Sequence, residues 1–86
     1  MGKYEKLLAR ILAGTSDVQI DFGDLCHLLS RLGLSERIRG DHHIFTKDGI
    51  DEILNLQPKG RLSKPYQVKQ VRNILLKYHL GDSNVD

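Results

Sequence analysis

Three observations predict an α+β domain for this 86-residue chain. Apolar residues recur with a helical period near both ends, they alternate with a period of two in the middle, and glycine-containing turn signals separate the two regimes. Helices that flank a run of consecutive strands can cover one face of an antiparallel sheet, so a two-layer domain is expected, with helices on one face of three strands. The length suits one domain with a modest core.

Each element has its own signal. Tyr4, Leu7, Leu8, Ile11 and Leu12 form one stripe of an amphipathic helix that Gly14 can end. Thr15 to Gln19 reads as a loop. Asp21 suits the N-cap of a second helix, whose stripe is Leu25, Leu28, Leu29 and Leu32 and whose end is marked by Gly33. The period then becomes two. In a strand from Leu34 to Arg39, Leu34, Glu36 and Ile38 share one face, and Arg37 and Arg39 share the other. Gly40-Asp41 is a two-residue hairpin signal. A second strand runs from His42 to Lys47, with His43, Phe45 and Lys47 opposite His42, Ile44 and Thr46. Asp48-Gly49 predicts another hairpin, into a third strand from Ile50 to Gln57 that Pro58 stops. Lys59 to Lys64 reads as a basic loop. Ser63 or Lys64 is expected to cap a last helix with Pro65 in its first turn. Its stripe is Val68, Val71, Leu75 and Tyr78, and Gly81 is expected to close it. The expected organisation is a helical extension over 1–20, a domain over 21–80 and a polar, flexible tail over 81–86.

Composition narrows the function classes. The single cysteine, Cys26, cannot form an internal disulfide or a multi-thiolate zinc site, and it falls among apolar residues as a core thiol. The N-terminal residues read as neither a signal peptide nor a membrane span, so a cytoplasmic protein is expected. The net charge of +2 is unevenly spread: between Ile53 and Leu80 there are six bases and no acid. Such a stretch suits a polyanionic partner, with a solvated basic surface as the alternative.

The densest functional cluster is Arg37-Ile38-Arg39-Gly40-Asp41-His42-His43-Ile44-Phe45. Imidazole can exchange a proton near neutral pH, and arginine can hold a phosphate through two parallel hydrogen bonds. RNA cleavage without a metal needs both: a base for the 2′-hydroxyl proton, and cations for the charge that develops on phosphorus. His43 shares a face with Phe45 and is expected to pack, while His27 and His79 are assigned structural or exposed roles. Adjacent strand residues point to opposite faces, so His42 and His43 are not expected to share a metal ion, and no metal or cofactor is predicted.

The same nine residues resemble the signature of the HicA family of toxin–antitoxin toxins. That pattern is a helix ending in Leu-Gly or Ala-Gly, a short basic strand, then Gly-Ser-His and an aromatic. Here Leu32-Gly33, Gly40, His42 and Phe45 match. Leu54-Asn55-Leu56-Gln57-Pro58 and Tyr66 to Leu80 fit the family's third strand and final helix. The likeness covers about residues 21–80. It implies a fold like double-stranded-RNA-binding domains, a messenger-RNA endonuclease activity with His42 as the catalytic histidine, and neutralisation by a HicB-type antitoxin. Two features depart from the pattern. Asp41 replaces the usual serine and puts an anion beside the phosphate, and about twenty residues precede the family's usual start.

The resulting expectation is a metal-independent endoribonuclease. His42 would be catalytic, and Arg37, Arg39, Lys59, Arg61 and Lys64 would bind RNA, with Lys47 a weaker candidate. The alternatives are a non-catalytic module of the same fold that grips duplex RNA by shape and backbone charge, and an interaction protein whose basic face meets an acidic partner.

Overall fold

The computed structural model describes residues 2–82. Its architecture is α+β. The helices α1 (Lys3–Ala13), α2 (Phe22–Arg31) and α3 (Pro65–Lys77) pack on one face of an antiparallel sheet formed by β1 (Ser35–Arg39), β2 (His42–Thr46) and β3 (Leu54–Leu56), in the order β1-β2-β3. The ends of α1 and α2 follow the sequence signals. Gly14 ends α1 in the left-handed conformation, and the Asp21 carboxylate caps α2 by accepting from the Asp24 N–H at 3.0 Å.

One core joins the layers. Leu25, Leu28 and Leu29 of α2, Val68, Val71 and Leu75 of α3, and Phe45 and Leu56 of the sheet are fully buried, with Ile11 of α1 and Ile20 beside them. The helix before residue 20 therefore contributes to the same core as the sheet. Within the sheet, Phe45 pairs with Leu54 and with Glu36, and this fixes which side chains face the helices. Glu36, Ile38, His43, Phe45, Leu54 and Leu56 share the helix-side face; Ser35, Arg37, Arg39, His42, Ile44, Thr46 and Asn55 share the open one. The helix layer does not reach the far end of β1, where Ile38 is exposed.

Three details differ from the sequence-based expectation. The third strand begins at Leu54, not Ile50. Asp48-Gly49 does turn the chain, with Ile50 N–H bonded to the Lys47 carbonyl, but the next residues leave the sheet. Glu52 is tied to the end of α3 by Lys77 Nζ at 2.8 Å and by the Tyr78 hydroxyl, and these donors hold its carboxyl down to about 2. The supposed basic loop is a β-ribbon: β4 (Pro58–Lys59) pairs with β5 (Leu62–Ser63) across Gly60-Arg61. Its outer edge meets the entry to α2, where Ser63 N–H donates to the Ile20 carbonyl and Phe22 N–H to the Arg61 carbonyl. Of the two cap candidates, Lys64 is the N-cap residue of α3, without a side-chain cap bond, and the buried Ser63 hydroxyl has no hydrogen-bond partner among the described residues. Finally, α3 ends at Lys77, with Tyr78 as its C-cap residue and His79 left-handed (φ 55°), and Gly81 lies in a 3-10 turn, Leu80–Asp82. Of the tail expected over 81–86, the first two residues belong to that turn, and residues 83–86 lie outside the described residues. Among the described residues, no helix is long and apolar enough to cross a membrane.

Candidate functional site

The β1–β2 hairpin organises the site. Arg39 and His42 are directly paired across Gly40-Asp41, and Gly40 adopts φ 60°, a value that the tight turn requires and that glycine adopts without strain. Burial of Phe45 sets the register. With a strand period of two, His43 then faces the helices and His42 faces outward, on the same side as Arg37 and Arg39. Directly opposed side chains on one face lie about 5 Å apart at Cβ, so Arg39 and His42 are neighbours.

His42 is about half exposed, and its ring is positioned. Its Nδ1 lies 3.0 Å from the Asn55 amide oxygen on the adjacent strand. An imidazole that donates from Nδ1 carries its lone pair on Nε2. An Asp41 carboxylate oxygen stands 3.8 Å from Nε2. The other Asp41 oxygen accepts from Gln57 Nε2 at 3.0 Å, and this bond, more than any other influence, holds the Asp41 carboxyl below the ordinary carboxylate range. Lys64 Nζ in turn donates to the Gln57 amide oxygen at 3.4 Å. The chain Lys64–Gln57–Asp41 thus links the base of the ribbon to the hairpin turn.

Behind the open face, Gln67 of α3 is a buried anchor. Its amide oxygen accepts from Gln57 N–H at 3.0 Å, and its amide nitrogen donates to the Asn55 carbonyl at 3.4 Å. The backbone that carries Asn55 and Gln57, the two residues that touch His42 and Asp41, is therefore held from the helix layer.

Of the residues expected at the site, Arg37, Arg39 and His42 come together on the open sheet face. Lys64 reaches the turn through Gln57. Lys59 and Arg61 are exposed on the separate ribbon. Lys47 lies at the opposite end of β2 from the turn, beside a shallow groove lined by Gly33, Ser35, Thr46 and Asp48. His27 bonds the Tyr4 hydroxyl at 2.7 Å, a contact between α1 and α2.

His43 packs as expected, edge-to-face on Phe22 at 4.8 Å between ring centres, but it is not inert in its surroundings. Its Nδ1 lies 2.7 Å from Glu36 Oε2, and the buried Cys26 thiol joins them, the three donor atoms all lying within 4.8 Å of one another. Burial first, and the Glu36 carboxylate second, push that thiol up to about 12.

Sequence reasoning missed Asn55, Gln57, Gln67 and the grouping of Cys26 with Glu36 and His43. The alternation Leu54-Asn55-Leu56 does signal that Asn55 faces away from the core. The other contacts join separate elements and have no local signal. No family model, curated protein sequence or solved structure matches the chain.

Proposed function

We propose that this chain is an RNA-cleaving domain of the HicA toxin type, acting on messenger RNA in the cytoplasm and held in check by a HicB-type antitoxin. The observation that carries the reading is the arrangement of the open sheet face. A histidine oriented through Nδ1 by Asn55 stands beside Arg39 and on the same side as Arg37. The three-stranded antiparallel sheet between α2 and α3, with the β4–β5 ribbon inserted before α3, also supports it, since double-stranded-RNA-binding domains share that helix–sheet–helix arrangement.

In this reading His42 Nε2 removes the proton from a ribose 2′-hydroxyl. The 2′-oxygen attacks the adjacent phosphorus to close a 2′,3′-cyclic phosphate, the bond to the 5′-oxygen breaks, and that oxygen takes a proton from solvent. Arg37 and Arg39 stabilise the charge that grows on the phosphoryl oxygens. Lys59, Arg61 and Lys64 hold flanking phosphates and add affinity without reading bases. The chemistry needs no cofactor.

One observation favours a second reading, a non-catalytic RNA-binding module: the Asp41 carboxylate lies 3.8 Å from Nε2, where an incoming phosphate would meet a like charge. A cleavage assay with wild-type protein and His42→Ala, run beside thermal melts, tests both. His42→Ala should remain folded and lose cleavage by roughly 10²–10⁴-fold, the usual cost of losing a general base, and induced expression of the wild type alone should arrest growth. Undiminished cleavage by folded His42→Ala rules out His42 as the catalytic group. Salt-sensitive RNA binding with no cleavage by the wild type selects the binding module.

A further inference from the structure

Beneath the hairpin, on the face opposite His42, three donor side chains of different chemistry converge from three elements. Cys26 comes from α2, Glu36 from β1 and His43 from β2. We propose that Cys26, Glu36 and His43 form a three-ligand intrachain site for a divalent transition cation, with zinc the best match to the donor set. The proposal is independent of any activity toward RNA.

The first support is geometric. Zinc takes thiolate, imidazole and carboxylate donors at about 2.0–2.3 Å in a tetrahedron, so its ligand atoms sit roughly 3.4 Å apart. All three donor atoms here already lie within 4.8 Å of one another, and the closest pair, His43 Nδ1 and Glu36 Oε2, is 2.7 Å apart. An ion between them would widen the closest pair and draw in the sulfur, changes within the range of side-chain rotation.

Charge and burial agree. One thiolate and one carboxylate neutralise a divalent cation, so the loaded site carries no net charge at a place that is buried on the Cys26 side and open on the Glu36 side. The thiol lies at the buried end, and the His43 and Glu36 side chains keep 21% and 27% of their surface exposed. That opening gives an entry path and room for a water in the fourth position. Softness decides the metal: sulfur with imidazole favours zinc or its cobalt surrogate over magnesium or calcium, which take oxygen donors.

Binding involves no redox change. The cation displaces the proton of the Cys26 S–H, which passes to solvent, and a zinc–sulfur bond forms. His43 coordinates through a nitrogen lone pair, its ring proton resting on the other nitrogen. Empty, the same trio is a protonated thiol and an imidazole N–H gathered around one carboxylate, in which the thiol proton occupies the place of the metal.

The test uses the full chain, freed of metal with a chelator and titrated at neutral pH with Zn²⁺ and separately with Co²⁺. One ion per chain is expected, with a thiolate-to-cobalt charge-transfer band, tetrahedral cobalt absorption, release of about one proton per zinc and a higher melting temperature. Because Cys26 is the only cysteine, the wild-type band alone identifies the thiolate, even if a variant fails to fold. Cys26→Ser should abolish the band, and Glu36→Gln should weaken zinc binding by about tenfold or more. A band that appears only at one ion per two chains, with doubled mass in gel filtration, overturns the intrachain site. So does cobalt binding without the band, or zinc affinity unchanged in folded Cys26→Ser, and the trio is then a hydrogen-bonded cluster alone.

Discussion

Replacing Gln67 tests whether the helix layer holds the open sheet face in place. The side chain is 6% exposed and serves two backbone groups. Gln67→Leu keeps comparable volume and removes both contacts. The Gln57 N–H loses a bond of 3.0 Å, and a buried donor left unpaired costs about 1–3 kcal/mol. The Asn55 carbonyl loses a longer bond of 3.4 Å and adds less, since a carbonyl tolerates underuse better than an N–H. The expected loss is therefore about 2 kcal/mol. A domain of this length has roughly 4–13 kcal/mol in total, and the loss corresponds to about 8–16 °C in melting temperature. Urea unfolding should show a lower midpoint with an unchanged slope. Gln67→Glu gives a second readout. As an ionised carboxylate it can still accept from Gln57 N–H but repels the Asn55 carbonyl; protonated, it can donate there as glutamine does. Burial and that carbonyl raise its folded-state pKa above the unfolded value of about 4.3. The penalty is then absent below that value and grows as pH rises towards the folded-state pKa. Measured against wild type at each pH, Gln67→Glu should be nearly neutral near pH ~4 and clearly destabilised at neutral pH. A loss under about 0.5 kcal/mol for Gln67→Leu, or a Gln67→Glu penalty independent of pH, refutes the reasoning.

Three further outcomes are expected. Replacing Lys59, Arg61 and Lys64 by alanine should weaken RNA binding and flatten the plot of log affinity against log salt by about 2, at roughly 0.7 per single-strand phosphate contact; an unchanged slope puts the RNA on another surface. Asp41→Ser should raise single-turnover cleavage several-fold, the effect of removing one well-solvated like charge about 4 Å from a phosphate, and a slower variant means that the Asp41–Gln57 contact helps to hold the turn. Arg72 clamps Asp17 with bonds of 2.8 and 3.1 Å and also donates to the Ile11 carbonyl near the end of α1, and its guanidinium holds the Asp17 carboxyl below the usual range. The stabilisation from this pair should be complete above the unfolded carboxyl value and lost as pH falls through the lowered folded one. Asp17→Asn should accordingly be most damaging at neutral pH and harmless in strong acid, and a penalty that persists in acid assigns it to packing.

What the chain's pattern could disclose follows from how local each feature is. The helix stripes and the Gly40-Asp41 turn are written in neighbouring residues, and they suffice to put His42 outside and His43 inside. The start of β3 is not written there. Ile50 to Gln57 has strand-like composition, but Glu52 is drawn to Lys77 and Tyr78, some twenty-five residues away. The ribbon escaped notice because two strands of two residues each have no periodicity to detect, and Gly60 among cations reads equally well as a loop. At the candidate site, the cations and His42 were visible as types of residue. Their support was not, because Asn55, Gln57 and Gln67 act through a register and a helix contact that exist only once the sheet has formed.

The position of β1 has one more consequence. It is an edge of the sheet, and every residue along it is exposed. An unpaired edge invites a second copy to add its own strand and start a growing stack. Antiparallel self-pairing centred on Arg37 or on Ile38 would set arginine against arginine on one face, and like charges directly opposed disfavour such a ladder. Arg37 and Arg39, proposed above as phosphate ligands, thus also act as a guard against self-assembly. Neutralising Arg37 and Arg39 together would remove that guard, so loss of RNA binding in such a variant is informative only when it is still monodisperse.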